Sequence, residues 1–512
     1  MQNPVVFETQ SGNSYLHSPQ MQQLLLLHPV MVHLLKLREQ GTAPEEWFDS
    51  LATDTITLEN GAVFSRDQVA YYVNKYTFLV AKGYFEAIDN AKRLGGRLTA
   101  QSVLYQLANC DQLTFEVTEA CNLACEYCGY GKFYQSTGNR TRKTMDFSLA
   151  QTMLDYLVDH WNSNRNISHK KNIDISFYGG EPLLNFSLLQ AIVTYAETIP
   201  LLHNFFTFSM TTNGTLLDKY MDFLVSHNFL LHISLDGNEF QNGYRVFANG
   251  TSSQSVVIEN IEKIRAKYPD YFEQKVFFIA VLHNKNSVPQ VMRYFMERYN
   301  KHVMIVELNT NRIAPEKEAE FWNTYRNFSE SLAQAQNYCE IRRDFFQEFP
   351  EVREANSFLS AYSGFVYKSV EQLLHLDVQP EFIPTATCPP FGKKIFVTVN
   401  GKILPCERIG QDHSLGSVSA EAVNLDFEAI ARQYNYYYDR LSYLCSVCYT
   451  NKSCGHCLFN LPQPETSAKN KKAQCPGCCD ATHFSRYMGH HMSILEENPQ
   501  IVPLFMKEVN II

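Results

Sequence analysis

The chain has 512 residues, of which 45% are hydrophobic and 19% charged, and this composition is typical of a folded globular protein rather than a disordered one. A net charge of −9 argues against a nucleic-acid-binding surface. The start lacks the basic and apolar segments of a signal peptide, and the apolar run at residues 24–27 is too short to span a bilayer. We therefore expect a cytoplasmic protein with no nucleic-acid or membrane partner. In a reducing compartment its fourteen cysteines indicate metal ligands rather than disulfides.

The first hundred residues alternate hairpin and helix signals. Turn sequences at residues 11–13 and 60–61 predict two hairpins. Between them, an amphipathic helix bent near Pro29 is predicted over residues 24–35. This layout predicts a small α+β, winged-helix-like domain at residues 1–105. Its role is either structural or peptide docking, because exposed hairpin edges bind extended chains by strand addition.

From residue 112 onward, strand-like runs alternate with helical patterns. The strand-like runs cover residues 113–118, 173–178, 205–211, 230–235, 275–282 and 302–308. Six such repeats imply an α/β fold with a parallel sheet and right-handed crossovers. A closed or nearly closed sheet of this kind gives a full or partial TIM-type barrel, whose active site lies at the C-terminal ends of the strands.

Three cysteines follow the first of these strands at the spacing C-x3-C-x2-C, namely Cys121, Cys125 and Cys128. Thiolate is the soft ligand that iron–sulfur clusters use. Three thiolates would leave one iron of a [4Fe–4S] cube open to another ligand. Cysteine clusters also bind zinc, so a zinc site or structural thiols remain alternatives.

The loops after the next three strands also carry residues suited to binding. Gly179 and Gly180 let the backbone approach a ligand closely, and Glu181 can accept hydrogen bonds from a ligand ammonium group. The third strand is followed by residues 212–215 and the fourth by residues 234–237, both of which read as turns. Taken singly, each loop is an ordinary strand-to-helix turn.

Together these motifs resemble the radical S-adenosylmethionine (SAM) family, whose signature is C-x3-C-x-aromatic-C, with Tyr127 in the aromatic position. The resemblance implies that SAM binds the open iron through its amino and carboxylate groups and that one electron cleaves it to methionine and a 5′-deoxyadenosyl radical. It also implies that Glu181 holds the amino group and that Arg245 contacts SAM. The usual His-Asp pair before this arginine is replaced by Gln241 and Asn242, one residue short. The cofactor-binding residues implied are Tyr127, Gly179, Gly180, Glu181, Thr212, Asn213, Ser234, Asp236 and Arg245.

A second group of cysteines lies in the C-terminal part of the chain. Its members are Cys388, Cys406, Cys445, Cys448, Cys454, Cys457, Cys475, Cys478 and Cys479. A hairpin around residues 400–401 should bring Cys388 and Cys406 near one another. Paired C-x2-C units are common in zinc ribbons, and nine thiols could also make two zinc sites.

Taken together with the first motif, this region resembles the SPASM domain of peptide-modifying radical SAM enzymes. The middle block of that domain reads C-x2-C-x5-C-x3-C, and here its last pair is C-x2-C instead of C-x3-C. The resemblance implies two auxiliary [4Fe–4S] clusters. Cluster I would use Cys388, Cys406 and Cys457, with its fourth position open or filled by Cys478 or Cys479. Cluster II would use Cys445, Cys448, Cys454 and Cys475.

The sequence therefore predicts four parts. These are a leader-peptide-recognition-like domain at 1–105, a radical SAM barrel at 106–310, a helical connecting region at 311–384, and a SPASM domain with a tail at 385–512. The predicted activity is modification of a ribosomally made precursor peptide by hydrogen abstraction, with a thioether or related cross-link as product. A reductant such as flavodoxin or ferredoxin would supply electrons.

Glu407 is the predicted catalytic residue. It directly follows Cys406, where sulfatase-maturing relatives carry an acid proposed to take a proton; a solvated glutamate is the alternative. Two other functions stay open. One is a sulfatase-type maturase that oxidises Cys or Ser to formylglycine, although such enzymes usually begin close to the cysteine motif, which here is delayed by about 120 positions. The other is a non-enzymatic binding or redox protein that carries zinc or a cluster.

Overall fold

The computed structural model describes residues 1–21, 23–59, 61–92, 94–134, 142–167, 171–310, 312–335, 385–461, 475 and 477–499. The described residues form two compact units. Unit 1 lies within Met1–Arg97, Phe346–Thr387 and Asn435–Ile512, and unit 2 lies within Leu98–Phe345 and Cys388–Tyr434.

The strands and helices of these residues are numbered in chain order. The strands are β1 (Val5–Glu8), β2 (Ser14–Ser18), β3 (Gln23–Leu27), β4 (Thr55–Thr57), β5 (Val63–Ser65), β6 (Gln112–Thr118), β7 (Lys171–Gly179), β8 (Asn204–Thr212), β9 (Leu230–Ser234), β10 (Val276–Leu282), β11 (Val303–Glu307), β12 (Ile395–Val397), β13 (Lys402–Leu404), β14 (Gly416–Val418) and β15 (Val423–Leu425). The helices are α1 (Pro29–Glu39), α2 (Pro44–Asp49), α3 (Arg66–Ala81), α4 (Ala100–Ala108), α5 (Phe147–Trp161), α6 (Phe186–Thr198), α7 (Leu217–Ser226), α8 (Gln254–Lys267), α9 (Pro269–Lys275), α10 (Val288–Tyr299), α11 (Glu318–Thr324), α12 (Phe328–Ala333), α13 (Phe427–Val447) and α14 (Ala481–Glu497). None of these helices is both long enough and apolar enough to cross a bilayer.

The centre of unit 2 is a ten-stranded sheet in the order β11-β10-β9-β8-β7-β6-β12-β13-β14-β15. Strands β6 to β11 are parallel neighbours in chain order, and one or two helices lie between each strand and the next. Leu113 and Phe115 on one face of β6 and Thr114 and Glu116 on the other are all buried, as expected for a parallel strand covered on both faces. The α/β fold with a parallel sheet is confirmed, and each of the six strands ends within two residues of its predicted range. Closure of this sheet into a partial barrel stays a prediction.

A hairpin from the C-terminal cysteine region extends this sheet. Strand β12 lies parallel to β6, and β13, β14 and β15 continue it as antiparallel neighbours. The turn at Gly401 has φ +75°, and its N–H donates to the Thr398 oxygen at 2.9 Å, so the predicted hairpin is confirmed. Cys388 precedes this hairpin and Cys406 follows it. Both residues therefore belong to the same unit as the parallel strands.

Unit 1 begins with the antiparallel sheet β1-β2-β3. The first predicted hairpin is confirmed, but the helix predicted over residues 24–35 is wrong in its first part, because Gln23–Leu27 pairs with β2 as a strand. Helix α1 starts at Pro29 instead of bending there. Proline suits the first helical position, where its missing N–H would have no intrahelical partner.

Strand β1 shares a hydrophobic core with helix α14 of the same unit. Val5 and Phe7 are buried together with Phe484 and Met488. A Cβ added at Gly489 of α14 would lie 2.5 Å from the Glu8 carbonyl oxygen, so glycine permits the close approach of helix and strand. The N-terminal sheet is thus built into a unit that also contains C-terminal residues. The four-part division read from the sequence stays a prediction.

The remaining sequence-based expectations concern the second hairpin and the connecting region. The second predicted hairpin is confirmed, because β4 and β5 pair antiparallel around Gly61, which has φ +80°. Helices α11 and α12 lie in the predicted connecting region, whose residues 336–384 lie outside the described residues.

Candidate active site

The three cysteines of the first motif lie on the loop after β6, which we call the Cys loop (residues 119–131). The Ala124 N–H donates to the Val246 oxygen at 2.7 Å, which ties the Cys loop to the loop that follows β9. Cys121, Cys125 and Cys128 are all partly buried. Burial raises the pKa of Cys125 to about 12; Arg245 opposes this rise, and the neighbouring Cys128 and Cys121 add to it. The structure thus groups three thiols at the C-terminal edge of the parallel strands.

Gly179 and Gly180, at the end of β7, lie against the start of the Cys loop. The Gly180 N–H donates to the Thr118 oxygen at 2.8 Å, and the Glu181 N–H donates to the Ala120 oxygen at 2.9 Å. A Cβ at Gly179 would collide with the Thr118 carbonyl, and one at Gly180 with the Ala120 carbonyl. The close backbone approach predicted for these glycines is therefore an approach to the end of β6 and to the chain's own Cys loop. Their contact with SAM stays a prediction.

Glu181 is fully buried between the ends of β7 and β8. Its Oε1 accepts hydrogen bonds from the Leu183 N–H at 3.1 Å and the Thr212 hydroxyl at 2.8 Å, and its Oε2 accepts one from the Asn213 N–H at 2.7 Å. Burial raises the pKa of Glu181 to about 7, although these three donors lower it. The carboxylate joins two strand ends, and its predicted bond to the SAM ammonium group stays a prediction.

Asn213 links the end of β8 to the Cys loop. Its Nδ2 lies 3.8 Å from the Cys121 sulfur and donates to the Asn122 Oδ1 at 2.8 Å. The Asn122 amide in turn donates to the Thr215 hydroxyl at 2.8 Å. Sequence reasoning selected Asn213 but missed Asn122, which lies directly after the first cysteine. An amide inside the cysteine motif, at the edge where strands end, was the available signal.

Asp236 lies at the centre of a buried network after β9. Its Oδ1 accepts hydrogen bonds from Arg245 Nη2 at 3.0 Å and from the Val281 N–H at 2.9 Å. Its Oδ2 accepts the Tyr127 hydroxyl hydrogen and lies 3.5 Å from His283 Nε2. Burial is the largest single influence and would raise the pKa of Asp236, but Arg245 and His283 together lower it to about 2. Sequence reasoning missed His283, although it follows β10 at the same edge of the sheet.

Arg245 is the buried cation of this network. Its guanidinium carbon lies 5.5 Å from the centre of the Tyr127 ring, and its Nε is buried without a hydrogen-bond acceptor among the described residues. The Asn242 side chain, in the place of the family's His-Asp pair, accepts the Asp236 N–H at 3.1 Å. A buried donor without an acceptor is costly, and an anionic ligand group would satisfy it. Three nearby thiols and this donor fit a cluster that binds SAM through its carboxylate. Ser234 ends β9 in the same loop region.

Glu407 follows Cys406 and forms a half-buried ion pair with Lys394 at 3.1 Å. Burial is the largest single influence and would raise the pKa of Glu407, but Lys394, a backbone hydrogen bond and Arg408 together lower it below the usual range. Burial raises the pKa of Tyr178 at the end of β7, and both Glu407 and Cys128 raise it further. Glu407 and Cys128 thus both influence Tyr178, and sequence reasoning missed Lys394, the ion-pair partner of Glu407.

In unit 1, several C-terminal cysteines lie together. Burial raises the pKa of Cys445 to about 12, and four neighbouring thiols raise it further. This Cys445 group consists of Cys445, Cys448, Cys454, Cys475 and Cys478. The Cys479 N–H donates to the Cys448 sulfur at 3.3 Å. The structure therefore brings together the four predicted ligands of cluster II and places Cys478 beside them. The predicted grouping of Cys388, Cys406 and Cys457 stays a prediction.

A single metal ion would need its ligands around one point. Within the described parts of the chain, no three side chains of His, Cys, Asp or Glu are arranged to hold one metal ion. The ligands of a [4Fe–4S] cube bind different irons, so this finding concerns single ions.

Comparison with known proteins shows which family the parallel strands and their loops resemble. Residues 115–295 match the Radical SAM superfamily. The chain is 34% identical over 142 residues to an uncharacterized protein of Methanocaldococcus jannaschii, covering 28% of this chain and 44% of that protein. It is 26% identical over 184 residues to the cysteine-type anaerobic sulfatase-maturating enzyme of Clostridium novyi, covering 35% and 46%. These matches span less than half the length of either relative.

One solved structure is similar to this chain over most of the length of both. Native anSMEcpe with bound AdoMet and Cp18Cys peptide matches with a TM-score of 0.47 and 18% identity, covering 78% of this chain and 99% of that one. The family match covers the Cys loop and the strand-end loops described above. Residues 115–295 thus form a radical SAM domain, of a superfamily that uses a [4Fe–4S] cluster and S-adenosylmethionine, and part of the chain is similar to anaerobic sulfatase-maturating enzymes.

Proposed function

We propose that this radical SAM enzyme modifies a ribosomally made peptide by hydrogen abstraction and forms a thioether or related cross-link. The observation that carries the proposal is the Cys445 group, which gathers thiols of unit 1 in addition to the Cys loop of unit 2. Thiolates beyond the three of the Cys loop are suited to auxiliary [4Fe–4S] clusters. Such clusters can bind a substrate thiolate or accept an electron, as the SPASM resemblance implies.

The residues of unit 2 have distinct roles in this proposal. Cys121, Cys125 and Cys128 hold the cluster that, with SAM bound, supplies a 5′-deoxyadenosyl radical. Arg245 binds the SAM carboxylate through its buried Nε. The loops after β7, β8 and β9 line SAM, and Glu181 binds its ammonium group through Oε2, which among the described residues accepts one hydrogen bond, from the Asn213 N–H. Because these loops rest on buried strand ends, they position the reacting groups rigidly.

Glu407 acts on the peptide in this proposal. Joining a thiol to a carbon through a thioether removes two hydrogens from the peptide: one leaves as an atom to the 5′-deoxyadenosyl radical and the other as a proton. One electron is also removed, and the Cys445 group would hold an auxiliary cluster able to accept it when oxidised. Glu407 accepts the proton, because its ion pair with Lys394 keeps it ionised and able to do so.

The N-terminal sheet docks the leader of the precursor peptide. Strand β3 pairs with β2, and in the described residues it is the end strand of its sheet. Leu26 on this strand is 62% exposed. An extended peptide can add to such an edge through main-chain hydrogen bonds, while exposed side chains select the sequence. The enzyme works in the cytoplasm, with a flavodoxin or ferredoxin as reductant.

The test begins with anaerobic reconstitution of the full chain. The candidate peptide is to be sought as a small Cys-rich or repeat-bearing reading frame beside the gene. With reductant and SAM, we expect 5′-deoxyadenosine and a peptide lighter by two hydrogens that no longer reacts with thiol reagents at one cysteine. Three clusters would give about twelve irons per chain. A colourless protein that contains zinc instead would favour the non-enzymatic alternative.

The second candidate is oxidation of Cys or Ser to formylglycine, which the similarity to the Clostridium novyi enzyme favours. The same assay separates the two reactions. Formylglycine reacts with hydrazide reagents, whereas a thioether does not. A hydrazide-reactive product from a sulfatase-derived peptide would replace the cross-linking proposal.

A further inference from the structure

One carboxylate is shared by groups from different segments of unit 2. Asp236 accepts hydrogen bonds from the Cys loop through Tyr127, from the loop after β9 through Arg245, and from β10 through the Val281 N–H. His283, which follows β10, lies 3.5 Å from the same side chain. These segments therefore meet at one buried carboxylate, in addition to their main-chain contacts.

The geometry leaves Asp236 no free face for a ligand. Its side chain is 0% exposed, and each of its oxygens has two protein neighbours, whereas Oε2 of Glu181 accepts one hydrogen bond among the described residues. Arg245 differs, because its Nη2 is held by Asp236 while its Nε is without an acceptor among the described residues. Asp236 thus holds one side of the guanidinium and leaves another donor available.

Tyr127 connects this carboxylate to the cluster ligands. It lies between Cys125 and Cys128 in the chain, so fixing its hydroxyl restricts both neighbouring thiols. Its ring stacks on His283 with ring centres 5.5 Å apart, and the Arg245 guanidinium lies 5.5 Å from the ring centre. Contacts therefore hold both the ring and the hydroxyl of Tyr127.

We propose that Asp236 is a positioning residue, rather than a ligand of SAM, that fixes the Cys loop against Arg245 so that the cluster and the SAM carboxylate site keep one mutual orientation. A charged acceptor suits this role, because hydrogen bonds to a carboxylate are roughly twice as strong as neutral ones. A buried guanidinium also needs a counter-ion. This role of Asp236 rests on the radical SAM domain and is independent of the proposed peptide substrate.

The decisive pair of variants is Tyr127→Phe and Tyr244→Phe. Both remove one phenolic hydroxyl, and the two rings are neighbours with centres 5.9 Å apart. The Tyr127 hydroxyl donates to Asp236, whereas the Tyr244 hydroxyl donates to the exposed Asn284. The first variant alone loses the link from the Cys loop to the shared carboxylate.

Each variant is reconstituted as the holoenzyme and measured in three ways: iron per chain, the dissociation constant for SAM, and the electron paramagnetic resonance (EPR) spectrum of the reduced cluster with and without SAM. With iron retained, Tyr127→Phe should weaken SAM binding about tenfold, which is the effect of one hydrogen bond to a charged group. It should also alter the spectral change that SAM induces. Tyr244→Phe should match the wild type in both. Asp236→Asn should exceed Tyr127→Phe in both readouts.

Equal SAM affinity and equal SAM-induced spectra in Tyr127→Phe and Tyr244→Phe would overturn the proposal. So would a Tyr127→Phe enzyme with a lower melting temperature but wild-type affinity and spectrum, because that result assigns the hydroxyl to stability alone. If Asp236→Asn does not fold, the two tyrosine variants still test the positioning role of Asp236.

Discussion

The main-chain N–H of Asn213 donates a hydrogen bond of 2.7 Å to Oε2 of Glu181. This bond joins the first residue after β8 to the loop after β7. The Glu181 carboxylate that accepts it has no exposed surface. Burial disfavours the ionised form, and the bond favours it. Burial dominates, and the pKa of Glu181 rises from 4.5 to about 7.

The first prediction is a pH dependence of stability that Glu181 causes. Between pH 4.5 and about 7 the folded chain holds a proton that the unfolded chain has lost, so this contribution is complete below pH 4.5 and disappears as the pH rises through 7. Relative to Glu181→Gln, the wild type should lose about 3 kcal/mol of unfolding free energy across this window. Urea unfolding of both proteins at a series of pH values measures the difference. A difference that stays constant from pH 4 to pH 8 would contradict the raised pKa.

The second prediction concerns the Cys loop. Replacing Cys121, Cys125 and Cys128 together by Ala should abolish 5′-deoxyadenosine formation, since all three ligands of the SAM-cleaving cluster are lost. Iron held by the C-terminal cysteines should remain. Cys110→Ala is the control, because this buried thiol lies before β6 and outside the loop, and it should retain SAM cleavage. Normal SAM cleavage by the triple variant would disprove the assignment.

The third prediction separates SAM cleavage from peptide chemistry. Glu407→Gln should lower formation of the modified peptide at least tenfold, because the amide cannot take the proton. Formation of 5′-deoxyadenosine should stay near the wild-type rate, since Glu407 acts after it. Glu421→Gln, an exposed change in the turn between β14 and β15, should affect neither product. Mass spectrometry of both products from one reaction gives the ratio. An unchanged ratio in Glu407→Gln would leave that residue with a structural role.

The fourth prediction tests peptide docking at β3. Leu26→Lys should weaken binding of the full-length precursor about tenfold or more, because it places a solvated charge on the proposed docking edge. SAM cleavage without peptide should be unchanged. Leu202→Lys is the matched control, as Leu202 is 69% exposed and lies in unit 2. Fluorescence anisotropy with labelled precursor measures both. Identical affinity in the two variants would rule out this edge.

These point changes test docking better than removal of residues 1–105. The core that Val5 and Phe7 share with Phe484 and Met488 would be opened by such a truncation, and the apolar face of α14 would be exposed to water. Loss of solubility or of iron would then say nothing about peptide binding. Substitutions at single exposed residues leave that core intact.

Local patterns predicted much of the fold because the parallel strands carry buried apolar runs separated by helical patterns. The strand-end rule also placed the Cys loop, Glu181 and Asp236 at one edge of the sheet from the sequence alone. The helix assigned to Leu24 and Leu27 was wrong because a short continuous run of leucines suits either a helix or a strand, and pairing with the neighbouring β2 decides between them. Short runs of this kind are ambiguous without knowledge of their partners.

Contacts between distant segments could not be read from the sequence. Asp236 was selected as a possible ligand, but nothing local shows that Tyr127, more than a hundred positions earlier, donates to it. Lys394 and His283 were missed for the same reason, since each lies on a different strand or loop from its partner. Residue type and strand position narrow the candidates, and only the folded chain shows which side chains bond to one another.

The pairing of the N-terminal strand with C-terminal residues has a consequence for biosynthesis. Gln2 donates a hydrogen bond to the main-chain oxygen of Cys448, 446 positions later, and β1 is covered by α14. At roughly 5–20 residues per second, the ribosome makes the second partner about 20–90 s after the first. During that interval β1 is an uncovered sheet edge, which favours aggregation. The nascent chain therefore passes through a period in which a chaperone that shields the N-terminal sheet would raise the yield of folded enzyme.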